Sequence, residues 1–250
     1  MSGSRLVYLA LGVMAVFTVV VCVVALVRDD APGEPAQRRT ALASTRATAP
    51  TLLVIGDSFA GGTGDPQITV YPELLGSALG YHAVVDAQGG TGFLNDGNNI
   101  KVAGKPKTQR AIDRLDHDAD TFLVDHIVVD LGRNDLGSEP STVKPYVLAY
   151  FSKLREIWPT QKLAIVVPTY VTARVEDTVS AMRSLFYEIA GTYRAIVVDP
   201  VTRGWYRDQP LGPLLWNDHV HFSQKGNDLY AAKIANSMLA QGFTPFKEDR

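Results

Sequence analysis

Hydrophobic and polar positions divide the chain into three unequal stretches. The first apolar run begins at Leu6 and ends at Val27, with no charge and nothing more polar than Tyr8, Thr18 and Cys22. About 20 such residues cross a bilayer as a helix, and a buried core helix of this length would carry a polar stripe. Residues 1–28 are therefore expected to form a single-pass membrane anchor. The run is longer than the apolar part of a secretory signal, and no small-x-small cleavage site closes it. An uncleaved anchor is the expectation, and secretion after cleavage is the alternative. Arg5 precedes the run, and Arg28 follows it beside Asp29 and Asp30. That balance favours a cytoplasmic N-terminus with the remaining chain extracytoplasmic. Residues 29–50 are rich in Ala, Pro, Arg and Thr and have no apolar period, which predicts a disordered tether.

Residues 51–250 alternate. Short apolar, β-branched runs at 51–55, 82–86, 126–131, 163–167 and 195–199 read as strands covered on both faces. Helical patterns fall at 71–79, 108–115, 142–157 and 174–191. A last one, 226–239, follows Ser223, a suitable N-cap. Strand–helix alternation over this length predicts one α/β domain with a mainly parallel five-stranded sheet and right-handed crossovers. Ligands of such sheets bind at the carboxyl ends of the strands, so the loops after each strand are where chemistry is expected.

Composition narrows the field. Twenty-four Lys and Arg against 26 Asp and Glu leave a net charge of −2, which gives no general basic field for nucleic acid. The single cysteine, Cys22, excludes an intrachain disulfide and any multi-cysteine metal site. The mean hydropathy of +0.02 averages an apolar run, a polar stretch and an ordinary domain.

Four loops carry candidate chemistry. The first reads Gly56-Asp57-Ser58-Phe59-Ala60-Gly61-Gly62 and sets a serine just past the first strand in a glycine-rich turn. It lacks the Gly-Lys-Ser/Thr of a phosphate loop and the Gly-x-Ser-x-Gly elbow. The second, Gln88-Gly89-Gly90-Thr91-Gly92, can turn backbone amides toward an anion. The third, Gly132-Arg133-Asn134-Asp135, offers an amide side chain. The fourth, Asp218-His219-Val220-His221, spaces an acid three residues before a histidine, which suits orientation of an imidazole for general-base work. A metal site built from Asp218, His219 and His221 is disfavoured, because no further ligand cluster completes the shell. His82, His117 and His126 lie away from these loops and read as strand or surface residues. Asp57 and Asp135 read as turn-shaping hydrogen bonders. Trp205, Tyr206, Trp216 and Phe222 surround the last block, and either a substrate subsite or plain packing would account for them. Residues 203–213 are the candidate specificity loop.

Together, Gly56-Asp57-Ser58, Gly90, Gly132-x-Asn134-Asp135 and Asp218-x-x-His221 resemble the four ordered blocks of the SGNH hydrolases, also called the GDSL esterase/lipase family. The likeness runs from about Thr51 to Gly242; the family's usual Leu after the serine is Phe59 here. It implies a three-layer α/β/α, flavodoxin-like fold and a serine esterase without metal or organic cofactor. It implies a catalytic Ser58, His221 and Asp218, and an oxyanion hole from the Ser58 and Gly90 amides and the Asn134 side chain. The implied substrate is a small-molecule, glycan or lipid ester. Deacylation of cell-envelope material would suit an anchored enzyme. An acyltransferase on the same scaffold and a non-catalytic envelope-binding module are the alternatives.

Overall fold

In the computed structural model, residues 49–98, 107–171 and 177–247 are described. The anchor expected at residues 6–27 and all but the last two residues of the 29–50 tether lie outside them. Among the described residues no helix is long and apolar enough to cross a membrane.

Five strands form one parallel sheet: β1 (Thr51–Gly56), β2 (His82–Ala87), β3 (His126–Asp130), β4 (Lys162–Val166) and β5 (Ile196–Val198), in the order β2-β1-β3-β4-β5. Helices α1 (Tyr71–Leu79), α2 (Ala111–Thr121), α3 (Pro140–Ile157), α4 (Asp177–Tyr193) and α5 (Gln224–Ala240) connect and cover it. The expected α/β/α architecture is what is found.

The central strands explain themselves. Leu52, Leu53, Val54 and Ile55 are all fully buried. Leu53 and Ile55 pack under α2, α3 and α4, whereas Leu52 and Val54 pack under α1 and α5. A two-sided sheet needs such continuous apolar runs. In α3, Val143, Val147, Tyr150, Phe151 and Leu154 make the buried stripe at helical spacing. Ser223 caps α5 by accepting a bond from the Gly226 amide, 3.2 Å.

Four expectations shift. The edge strands β2 and β5 are mostly half-buried rather than covered on both faces. Strand β5 ends before Asp199, because that carboxylate turns back to accept the Val201 and Thr202 amides, both at 3.0 Å. Helix α2 spans 111–121 rather than 108–115, and α3 starts two residues early with Pro140 in its first turn, where a missing N–H costs nothing.

The chain leaves β1 toward β2 on one side and reaches β3 on the other. Their carboxyl ends meet in register, with Gly56 opposite both Ala87 and Asp130. A crevice opens at such a switch point, and the first and third loops flank it.

Candidate active site

Beyond β1 the chain folds at once into a tight turn. The Gly61 amide donates to the Asp57 carbonyl and the Thr63 amide to the Ser58 carbonyl, each at 3.0 Å. A Cβ at Gly56 would collide with that of Ala60, so only glycine admits the turn this close to the strand. Ser58 stands at its start, and its Oγ lies 2.8 Å from His221 Nε2. His221 Nδ1 lies 2.7 Å from Asp218 Oδ2.

The loop that supplies His221 is self-bracing. Asp218 Oδ1 accepts the Val220 and His221 amides, both at 2.9 Å. The Trp216 amide donates to the His221 carbonyl at 2.7 Å. His219 takes a positive φ of 59°, an uncommon conformation for a residue with a Cβ. Burial works to raise the Asp218 carboxyl, but the His221 ring and the two amides outweigh it and hold it at about 2. Asp218 is therefore anionic at neutral pH and faces a ring that can take up a proton.

The second and third loops meet beside Ser58. The Thr91 amide donates to the Gln88 carbonyl, 3.3 Å, and Gly90 has a φ of 78°. This is a turn whose third residue must be left-handed, which favours glycine. The three candidate glycines differ. The Gly92 amide is already committed to the Asn95 carbonyl at 2.9 Å. Gly89 lies against Ser58, where an added Cβ would be 3.6 Å from the serine Cβ. Asn134 sits in a short 3-10 turn, Arg133–Asp135. Its Nδ2 donates to the Thr91 carbonyl at 2.9 Å and stands 3.5 Å from Asp57 Oδ2. One N–H is held and the second makes only a marginal contact, so it can serve an incoming oxyanion.

Both Asp57 and Asp135 are fully buried. Asp135 accepts the Phe93 amide at 2.7 Å and the Asn95 amide at 3.0 Å, which ties the second loop to the third. Asp57 Oδ1 accepts the Phe59 amide at 3.0 Å. Burial, opposed by Arg133 and reinforced by Asp130, pushes the Asp57 carboxyl up to about 6.

The aromatic residues around the last block separate into two groups. Trp205, Tyr206 and Phe222 are buried in the core and pack around Tyr230 or its neighbours; they pin residues 203–213 rather than offer a surface. Trp216 is half-buried against Gly64. Tyr170, after β4, is 41% exposed, and its ring centroid lies 6.4 Å from that of Phe59. Neither Tyr170 nor Arg133 stands out in sequence as part of the site. The one signal for Arg133 is a charge between the glycine and asparagine of the third block. His82 and His117 are exposed, and His126 packs between Tyr81 and Phe243 at the opposite end of β3.

The model of the GDSL-like lipase/acylhydrolase family matches residues 54–229, which holds all four loops. The chain belongs to this family. It is an ester-bond hydrolase. A GDSL lipase of Mycobacterium tuberculosis is 29% identical over 197 residues, covering 74% of this chain and 79% of that protein. Among solved structures, a lipase/acylhydrolase from Enterococcus faecalis shares 16% identity with a TM-score of 0.57, covering 80% of this chain and 100% of that one. An acetylxylan esterase from Geobacillus stearothermophilus shares 17% with a TM-score of 0.57, covering 80% and 97%. The two structures show the likeness of fold.

Proposed function

We propose that this GDSL-family hydrolase is a serine esterase working through Ser58, His221 and Asp218, and that it deacylates glycans or lipids of the cell envelope. The observation that carries the reading is the unbroken chain Ser58 Oγ, His221 Nε2, His221 Nδ1, Asp218 Oδ2, with links of 2.8 and 2.7 Å. Ser58 Oγ attacks the ester carbonyl while His221 Nε2 takes its proton. Asp218 fixes the tautomer and stabilises the imidazolium. The tetrahedral oxyanion is held by the Ser58 and Gly90 amides and the second N–H of Asn134. Collapse expels the alcohol, whose oxygen receives the proton from His221. Water then repeats the sequence and frees the acid.

The substrate class rests on two supports. The membrane anchor expected at residues 6–27 would hold the domain outside the membrane, beside envelope material. The names of the relatives mark the chemistries to compare, acyl lipids and acetylated glycans. Labelling with a fluorophosphonate, followed by hydrolysis of short and long acyl esters, tests the mechanism on the full chain in detergent. Ser58→Ala should abolish labelling and lower turnover at least about ten-thousandfold. Undiminished turnover would remove Ser58 from the mechanism.

A further inference from the structure

Arg133 is a buried guanidinium, 1% exposed and among the largest of the buried side chains. Burying such a charge is costly, and replacing a buried ion pair as a whole by apolar residues of similar volume is often neutral in stability. Its retention next to Asn134 therefore calls for a reason in the site. Its partners come from four elements. Nη2 lies 2.8 Å from Asp130 Oδ1 at the end of β3 and 2.5 Å from the Tyr230 hydroxyl on α5. Nη1 lies 3.6 Å from Asp57 Oδ2 in the nucleophile turn. Nε donates to the Thr169 carbonyl after β4 at 2.9 Å. The guanidinium carbon lies over the Phe59 ring, 4.6 Å from its centroid, and the Phe59 ring packs on His221 at 5.2 Å.

One departure from the family pattern and one position that the pattern leaves open thus meet in space. Phe59 replaces the usual Leu after the serine, and Arg133 fills the unspecified position between Gly132 and Asn134. A ring at 59 gives a guanidinium a face to stack on, and the guanidinium holds that ring against the imidazole.

We propose that Arg133 is a positioning residue, which aligns His221 through the Phe59 ring and Ser58 through Asp57. The proposal rests on the assignment of Ser58 and His221 above. Arg133 is buried, and its contacts run to Asp57, Phe59, Asp130, Thr169 and Tyr230 rather than to Ser58 or His221, so its removal is expected to act on the reaction step and not on ester binding. Lys cannot replace it, because an ammonium lacks the planar face and the fork.

The test is a double-mutant cycle on the full chain, Arg133→Met with Phe59→Leu, read as kcat, KM and the rate of fluorophosphonate labelling. We expect Arg133→Met and Phe59→Leu each to lower kcat and labelling about 10- to 100-fold with KM within about twofold, and the double variant to lose no more than the worse single. Arg133→Lys should recover less than half of the lost logarithm. Additive losses, an unchanged labelling rate, or a loss confined to KM would each overturn the proposal. If Arg133→Met does not fold, Arg133→Lys takes its place in the same cycle. A parent enzyme that never labels would refute the role of Ser58, whereas a labelled parent with an indifferent Arg133→Met variant refutes the positioning role alone.

Discussion

Two buried arginines stand behind the carboxyl edge of the sheet, one on each face, and they are held in different ways. Arg133 lies on the α1 and α5 face. Its carboxylate Asp130 also accepts the Tyr71 hydroxyl at 2.7 Å and the Tyr230 hydroxyl at 3.2 Å. Arg114 lies on the other face, on α2. Its Nε meets Asp86 Oδ2 at 2.7 Å, and Nη1 reaches the Thr91 hydroxyl at 3.1 Å and the Gln109 carbonyl at 2.9 Å. Around it, however, Asp118 Oδ2 and the Tyr150 hydroxyl are buried without a hydrogen-bond partner among the described residues. One cluster is closely matched and touches the turn that carries Ser58 and, through Phe59, His221. The other is incompletely matched and anchors the glycine turn. Similar charges at similar depth thus serve alignment on one face and loop anchorage on the other.

The sharpest way to break this contrast is Arg114→Met. The change strands the Asp86 carboxylate, 11% exposed, beneath α2. Breaking a buried pair from one side costs about 3–5 kcal/mol. The urea midpoint should fall accordingly at unchanged m-value. A folded variant with its midpoint intact would show that Asp86 finds another partner, and the division between the faces would fail.

The next contrast concerns protons. Burial, then the Asp86 charge, pushes the Asp118 carboxyl up to about 8 against the pull of Arg114. A carboxyl raised on folding keeps its proton while the unfolded chain has lost it. Stability therefore falls as pH rises from the unfolded value near 4 to about 8, at up to about 1.4 kcal/mol per pH unit. Asp118→Asn removes that slope. The variant should match the parent near pH 4 and exceed it progressively toward pH 8. Asp57, raised only to about 6, completes its own loss about one pH unit above that value, so the window from about 7 to 8 isolates Asp118. Parallel stability curves in that window would return Asp118 to an ordinary carboxylate.

What could be seen in the sequence follows the same division. The strands and helices are legible because burial on two faces or on one stripe imposes a period on the residues themselves. The four loops are legible because each carries short, local chemistry after a strand. The arginine clusters are not local. Arg133 meets Tyr230 across 97 positions and Arg114 meets Thr91 across 23. An arginine in a loop or on a helix ordinarily reads as a solvated charge. Only the topology, which brings β1, β3 and α5 together, turns Arg133 inward. Helix α2 departs from its expected bounds for a related reason: its first amide, Ala111, donates to the Gly92 carbonyl at 3.1 Å, far along the chain, and no side chain caps its start.

The smallest effect gives the cleanest comparison, because it removes one oxygen from each face. The Tyr230 hydroxyl accepts from Arg133 and donates toward Asp130. The Tyr150 hydroxyl, equally buried, has no hydrogen-bond partner among the described residues. Tyr230→Phe therefore leaves a guanidinium N–H and a carboxylate oxygen short of a bond and should cost about 1–3 kcal/mol. Tyr150→Phe removes a polar atom that is already unsatisfied, so stability should be unchanged or slightly raised. Both substitutions keep the ring and its packing, against Tyr71 for one and Phe93 for the other, so the difference reports the hydroxyl alone. Because Tyr230 also steadies Arg133, its variant should lose kcat as well, while Tyr150→Phe leaves kcat within about twofold, since it touches no residue of the site. Equal stability losses from the two would mean that Tyr150 is satisfied after all, and the two faces would then be held alike.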